Sequence, residues 1–158
     1  MKLQKDLREF IALLNSHDVE YLVAGAFSLA FHGVARTTGD IDLFIRRSPT
    51  NADKLWGVLR DFGFGEAGLE RDAFLEPQAV IQLGVAPHRI DLLTDIDAVS
   101  FEEAWLARET AILDGLPVPM LNKKLLIANK LAVARPQDIA DVARLREQSD
   151  RSPVQDDL

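Results

Sequence analysis

The chain contains no cysteine, so disulfides, thiolate metal sites and cysteine nucleophiles are all excluded. Histidine is scarce as well: His17, His32 and His88 are the only imidazoles. A metal bound here is therefore expected to be held by oxygen, which favours magnesium or manganese. No run of about 20 uninterrupted apolar residues occurs, and the start, Met1-Lys-Leu-Gln-Lys-Asp-Leu-Arg-Glu, reads as an amphipathic helix rather than a signal peptide. A cytoplasmic protein with no membrane partner is expected. Excess positive charge is also missing. At a net charge of -7, non-specific coating of nucleic acid is disfavoured, because such binding rests on many Lys and Arg neutralising phosphates.

What is present is enough apolar material for a real core. The 158 residues are 47% hydrophobic, which fits one compact domain over residues 1–149. Residues 150–158 form an acidic tail that is expected to be disordered. Between Leu121 and Arg146 the balance reverses, with Lys123, Lys124, Lys130, Arg135, Arg144 and Arg146 against Asp138 and Asp141. A local basic face suits an RNA or nucleotide-phosphate partner.

Leu3, Leu7, Phe10, Ile11, Leu13 and Leu14 recur at helical spacing. A short apolar strand, Tyr21–Ala24, precedes a helix over 26–31, closed by His32 and by Gly33 as a left-handed cap. A strand from Asp40 to Arg46 leads to a helix that starts near Ser48-Pro49 and ends at Phe62-Gly63. Residues 63–76 show no clean period and are read as loop with one short strand. Strands over 79–84 and 89–93 read as a hairpin, followed by a helix over 101–108. Ala111–Gly115 and Leu116–Met120 bracket a turn, and helices over 123–134 and 136–148 close the chain. The expected architecture is α/β (α+β), a mixed β-sheet flanked by helices with a C-terminal helical pair. Trp56 and Trp105 are expected in the core, and His32 and His88 at a helix end and a turn.

Two carboxylates stand out inside an apolar strand. Side chains alternate along a strand, so Asp40 and Asp42, with Arg36 and Thr38 if the extended conformation reaches back that far, project together, opposite Ile41, Leu43 and Ile45. Asp40 and Asp42 lie roughly 7 Å apart at their α-carbons, near enough to share a metal site. Asp91, central in Arg89-Ile-Asp-Leu-Leu93, joins them if its strand lies alongside; otherwise it pairs with Arg89 or Arg46 on a solvated face. Three converging acids repel one another unless a cation neutralises them. Gly25 opens a helix directly after a strand, where backbone N–H groups can approach phosphate oxygens. Pro136 and Asp138 fit a helix start, Lys130 a helix end, and Asp141 can pair with Arg144 three positions on.

Gly25-Ala26, then Arg36-x-Thr38-x-Asp40-x-Asp42, then Asp91 on a later strand resembles the polymerase-beta-type nucleotidyltransferase superfamily. More narrowly it resembles small bacterial and archaeal nucleotidyltransferases near the minimal and abortive-infection toxin types. The resemblance spans roughly residues 20 to 146 and implies the nucleotidyltransferase fold. It further implies that Gly25 contacts the triphosphate, that Asp40 and Asp42 hold Mg2+ or Mn2+, and that Asp91 is a further ligand or base. Lys130, Arg135, Asp138 and Asp141 match a cluster associated with nucleotide binding and a base-like role. One departure is Ala26, where the motif has Gly or Ser; the change removes a side-chain phosphate donor and keeps the backbone one. Ser28 substitutes for it only if its hydroxyl faces the phosphates.

The expected activity is magnesium-dependent transfer of a nucleoside monophosphate from an NTP to an acceptor hydroxyl on RNA, protein or a small molecule. Asp40, Asp42 and Asp91 are the catalytic and metal-holding candidates. Gly25, Ala26, Arg36, Thr38, Lys130, Arg135 and Asp138 are the nucleotide-binding ones. The alternative is a non-catalytic nucleotide-binding module or toxin-antitoxin partner of the same fold, with an antitoxin or a second copy as its partner.

Overall fold

The computed structural model describes residues 2–36, 39–64, 69–85 and 87–148. Thr38 and the acidic tail lie outside them. Helix α1 (Lys5–Ser16) is capped by the Gln4 side chain and turns Leu7, Phe10, Ile11 and Leu14 inward. Strand β1 (Tyr21–Ala24) runs into α2 (Gly25–Phe31), then β2 (Ile41–Ile45) and α3 (Pro49–Phe62). Ser48 caps α3 and Gly63 ends it in the left-handed region, the close that the Phe62-Gly63 pair led one to expect. Strands β3 (Val80–Leu83) and β4 (Ile90–Leu93) form an antiparallel hairpin. Then come α4 (Phe101–Leu106), β5 (Glu109–Leu113), β6 (Leu116–Met120), α5 (Lys123–Val133) and α6 (Pro136–Glu147).

Three local expectations are corrected. Among the described residues of 63–76, the expected short strand does not form and a 3-10 helix, Arg71–Leu75, carries the fully buried Phe74. One inward aromatic anchors the segment. The segments on either side of Asp114-Gly115 are both strands, paired as a hairpin from Glu109↔Met120 to Leu113↔Leu116. Asp40 stands just before β2 rather than in it, because strand pairing begins at Ile41↔Ile90.

The six strands form one mixed sheet in the order β3-β4-β2-β1-β6-β5. Alternation sorts the side chains onto its two faces. Leu43, Ile45, Ile90 and Leu92 join Phe10, Ile11, Leu55 and Val58 of α1 and α3 in one core cluster. Leu22, Ala24 and Phe44 join Ala104, Leu125, Leu126 and Leu145 of α4, α5 and α6 in the other. The sheet is thus covered on both faces, the expected α/β architecture with a C-terminal helical pair. Trp56 and Trp105 are only partly buried and pack at the rims of these two cores. Among the described residues, no helix is long and apolar enough to cross a membrane.

Candidate active site

The acids meet because three strands are in register. Ala24 of β1 pairs with Asp42 of β2, and Asp42 pairs with Asp91 of β4. Asp42 and Asp91 project from the face that carries Ala24 and Phe44, the face over which α4, α5 and α6 pack. Neighbouring strands lie about 5 Å apart, so the carboxyls are forced into mutual contact range. Asp91 is buried, at 7% exposure. The Asp42 carboxyl is pushed up to about 6 by burial first, then by the charge of Asp91. Asp40 and a hydrogen bond with Asp91 add to the rise, and Arg89 opposes it.

Gly25 closes the floor of this site. Its φ of +61° is the left-handed conformation that glycine adopts freely. A Cβ at that position would stand 2.2 Å from Oδ2 of Asp42, so any other residue would push this carboxylate out of its seat. The strand-to-helix glycine thus seats the acid that the next strand supplies. Ala26 follows in the first turn of α2. Ser28 is fully buried and donates its hydroxyl to the Leu121 carbonyl, 3.2 Å away. It faces the core, so it does not stand in for the hydroxyl that Ala26 lacks.

Arg89 occupies the space between the outer acids. Its Nε and Nη2 donate to Oδ1 and Oδ2 of Asp91 at 2.7 and 3.0 Å. Its backbone N–H donates to Oδ1 of Asp40 at 2.7 Å, and Nη2 is 3.8 Å from Oδ2 of the same residue. Asp91 thus pairs with Arg89, as expected for a solvated face, but its carboxylate is buried while the arginine stays partly exposed. Arg46 instead bonds to Glu20 and Glu102.

A second charged cluster lies on α5 and α6. Asp138 and Asp141 are buried, at 2% and 1% exposure. Lys130 donates to Asp141 at 3.0 Å and to Asp138 at 3.3 Å, and Arg36 bonds to Asp141. Arg135 grips Asp138 with Nε at 2.7 Å and Nη2 at 3.2 Å, and its backbone N–H donates to the same carboxylate. The Arg135 hydrogen bond first, with Lys130 added, holds the Asp138 carboxyl down at about 2 against the effect of burial. Asp141 therefore pairs with Lys130 and Arg36 rather than Arg144, the helix neighbour that spacing suggested. The two clusters are neighbours: the charge of Asp42 is felt at Arg135, whose side chain is 70% exposed.

The residues fit a hard divalent cation in a limited way. The donors are carboxylate oxygens, and Asp42 carries the raised affinity for positive charge that crowded acids develop. Among the described residues, no group of three His, Asp or Glu side chains is spaced to hold a metal alone. Magnesium commonly takes one or two carboxylates and completes its shell with water and substrate phosphates, and Asp42 with Asp91 provides that much.

The sequence offered Arg89 only as a partner of Asp91 on a solvated face, not as a member of the acid site. Its signal was available: Arg89 and Asp91 are two apart on one strand and so share a face. His32, placed at a helix end, is also buried, with its ring nitrogen 2.9 Å from the Leu121 carbonyl.

None of the curated proteins compared matches the chain. A family model does, over residues 3–156, nearly end to end. By that match the protein belongs to the family described as "Nucleotidyl transferase of unknown function (DUF2204)".

Proposed function

We propose that the protein is a magnesium-dependent nucleotidyltransferase that moves a nucleoside monophosphate from an NTP to an acceptor hydroxyl. The observation that carries this reading is the in-register pair Asp42 and Asp91, two crowded acids against a glycine that opens a helix. Arg89 pairs with Asp91, but Asp42 beside it forms no ion pair among the described residues, and like charges in low dielectric oppose folding. Bound Mg2+ or Mn2+ would supply charge neutralisation at the α-phosphate and at the entering and leaving oxygens.

The chain's own residues then have distinct tasks. Asp42, with Asp91, would hold the cation, and Asp40 sits at the mouth with its position fixed by the Arg89 N–H. The α2 start at Gly25 and Ala26 presents backbone N–H groups to the triphosphate. Arg135, exposed and within the field of Asp42, is the cation best placed to meet the phosphates. Lys130, Arg36 and Asp138 act behind it, by holding α5 and α6 in place. The acceptor oxygen bonds to the α-phosphorus, the bond from that phosphorus to the bridging oxygen breaks, and pyrophosphate leaves. Asp91 serves as ligand or receives the acceptor's proton. The basic 121–146 stretch favours RNA among the acceptors.

A second reading, a non-catalytic nucleotide-binding or toxin-antitoxin module, is favoured by one observation. Ala26 lacks the motif hydroxyl, and Ser28 is committed to Leu121. The discriminating experiment incubates the protein with each α-labelled triphosphate, magnesium, and transfer RNA or cell extract, beside Asp42→Ala. Label transfer that requires both magnesium and Asp42 supports the enzyme. Nucleotide binding without transfer supports the module.

A further inference from the structure

Arg89 stands just before β4, where its carbonyl accepts from the Ile41 N–H at 3.0 Å and its side chain turns toward the acids. Its guanidinium forms a bidentate pair with Asp91, while its backbone N–H fixes Asp40. Through one residue, the two outer acids of the cluster are tied to the same cation. The Asp91 side chain is 10% exposed, and that of Arg89 is 31% exposed, so the arginine approaches from the solvent side of an enclosed carboxylate. Both Asp91 oxygens are engaged by Arg89, whereas Asp42 forms no ion pair among the described residues. Charge in the cluster is therefore already part-neutralised by protein.

We propose that Arg89 is a built-in counter-cation of the acid cluster, which limits the nucleotide-free site to one divalent cation. This rests on the reading of Asp42 and Asp91 as a metal-holding pair and goes beyond it by naming what sets the number of ions. A guanidinium and a divalent ion compete for the same carboxylate oxygens, and their mutual repulsion keeps a second ion away. Arg89 is a positioning residue in this account: it orients Asp91 and excludes charge without touching the reacting atoms.

The test counts Mn2+ bound per chain by electron paramagnetic resonance, without nucleotide, in wild type, Arg89→Gln and Arg89→Lys. Wild type is expected to bind one ion and Arg89→Gln two. Arg89→Lys keeps a charge but cannot grip both oxygens, so it is expected to keep one ion, bound about tenfold more tightly. That conservative variant keeps the test decisive if Arg89→Gln fails to fold. Equal number and affinity in wild type and the variants would overturn the Arg89 role alone. No Mn2+ bound by any of the three would remove the metal-holding reading beneath it, and this proposal with it.

Discussion

Two clusters of charge sit side by side on one face of this sheet, and they are built on opposite rules. In the α5–α6 cluster each buried acid has its own cations: Asp138 meets Arg135 and Lys130, and Asp141 meets Lys130 and Arg36. Around Asp42 the acids lie close together: Arg89 pairs with Asp91 and approaches Asp40, while Asp42 itself forms no ion pair among the described residues. The two carboxyls shift in opposite directions: hydrogen bonds from Arg135 and Lys130 draw Asp138 down to about 2, whereas burial first, then the charge of Asp91, raises Asp42 to about 6. A compensated cluster holds the structure together. Under the proposed function, the acids around Asp42 are where an outside cation would sit.

The comparison can be broken most sharply through activity. Asp42→Ala should lower label transfer by roughly a thousandfold or more, the loss expected when transition-state charge stabilisation of about 4 kcal/mol disappears. Residual transfer close to wild type would put the chemistry elsewhere. The opposite cluster should respond through stability. Lys130→Met leaves Asp138 and Asp141 with fewer partners in a buried setting, and a loss of about 3–5 kcal/mol is expected in denaturant unfolding. A loss below about 1 kcal/mol would show that this cluster is not the structural one.

A smaller effect probes the seat between them. Gly25→Ala introduces a Cβ 2.2 Å from Oδ2 of Asp42 at a φ of +61°. A destabilisation of about 1–2 kcal/mol is expected from the left-handed backbone, with a further fall in transfer as the carboxylate shifts. Thermal melts beside the transfer assay separate the two. The least change is expected from Ala26→Ser, which restores the motif hydroxyl: a gain in transfer of less than about tenfold, or roughly 1.4 kcal/mol. Transfer that appears only in Ala26→Ser would instead mark the natural chain as a binding module.

Much of this arrangement was legible in the sequence because it is written at short range. Alternation along Ile41-Asp42-Leu43 assigned the acids to one face, and Gly33 and Gly63 closed their helices as glycines should. The neighbourhood of Asp42 and Asp91 followed once two apolar strands each carried a central acid. What stayed hidden was partner choice over long range. Asp141 looked toward Arg144 on its own helix, yet it bonds to Arg36, 105 positions away, because α6 folds back over the loop that leads to β2. Ser28 could not be assigned from sequence, since the Leu121 carbonyl that takes its hydroxyl comes from a segment 93 residues on. The phenylalanine of the 3-10 helix was invisible for a related reason. A single buried Phe74 sets no period.

The uncompensated state of Asp42 also fixes the sign of a stability effect. Its folded value of about 6 lies above the ordinary 3.8, so the folded protein binds the proton more tightly than the unfolded chain does. Stability is then fully present below about pH 4 as far as this group is concerned, and it falls as pH rises through 6. The size is about 3 kcal/mol, from roughly 1.4 kcal/mol per pH unit. Asp138 works in the opposite sense, adding stability above its ordinary value of 3.8 that is lost as pH falls toward 2.

Thermal unfolding of wild type and Asp42→Asn at pH 8, each with a chelator and then with excess magnesium, reads the central contrast directly. In chelator, Asp42→Asn should melt higher than wild type, because the like-charge repulsion has been removed. Magnesium should then raise the wild-type melt and leave that of the variant nearly unmoved. A variant that melts lower in chelator, or one that gains as much from magnesium as wild type does, would contradict the account of Asp42 as an acid awaiting a cation.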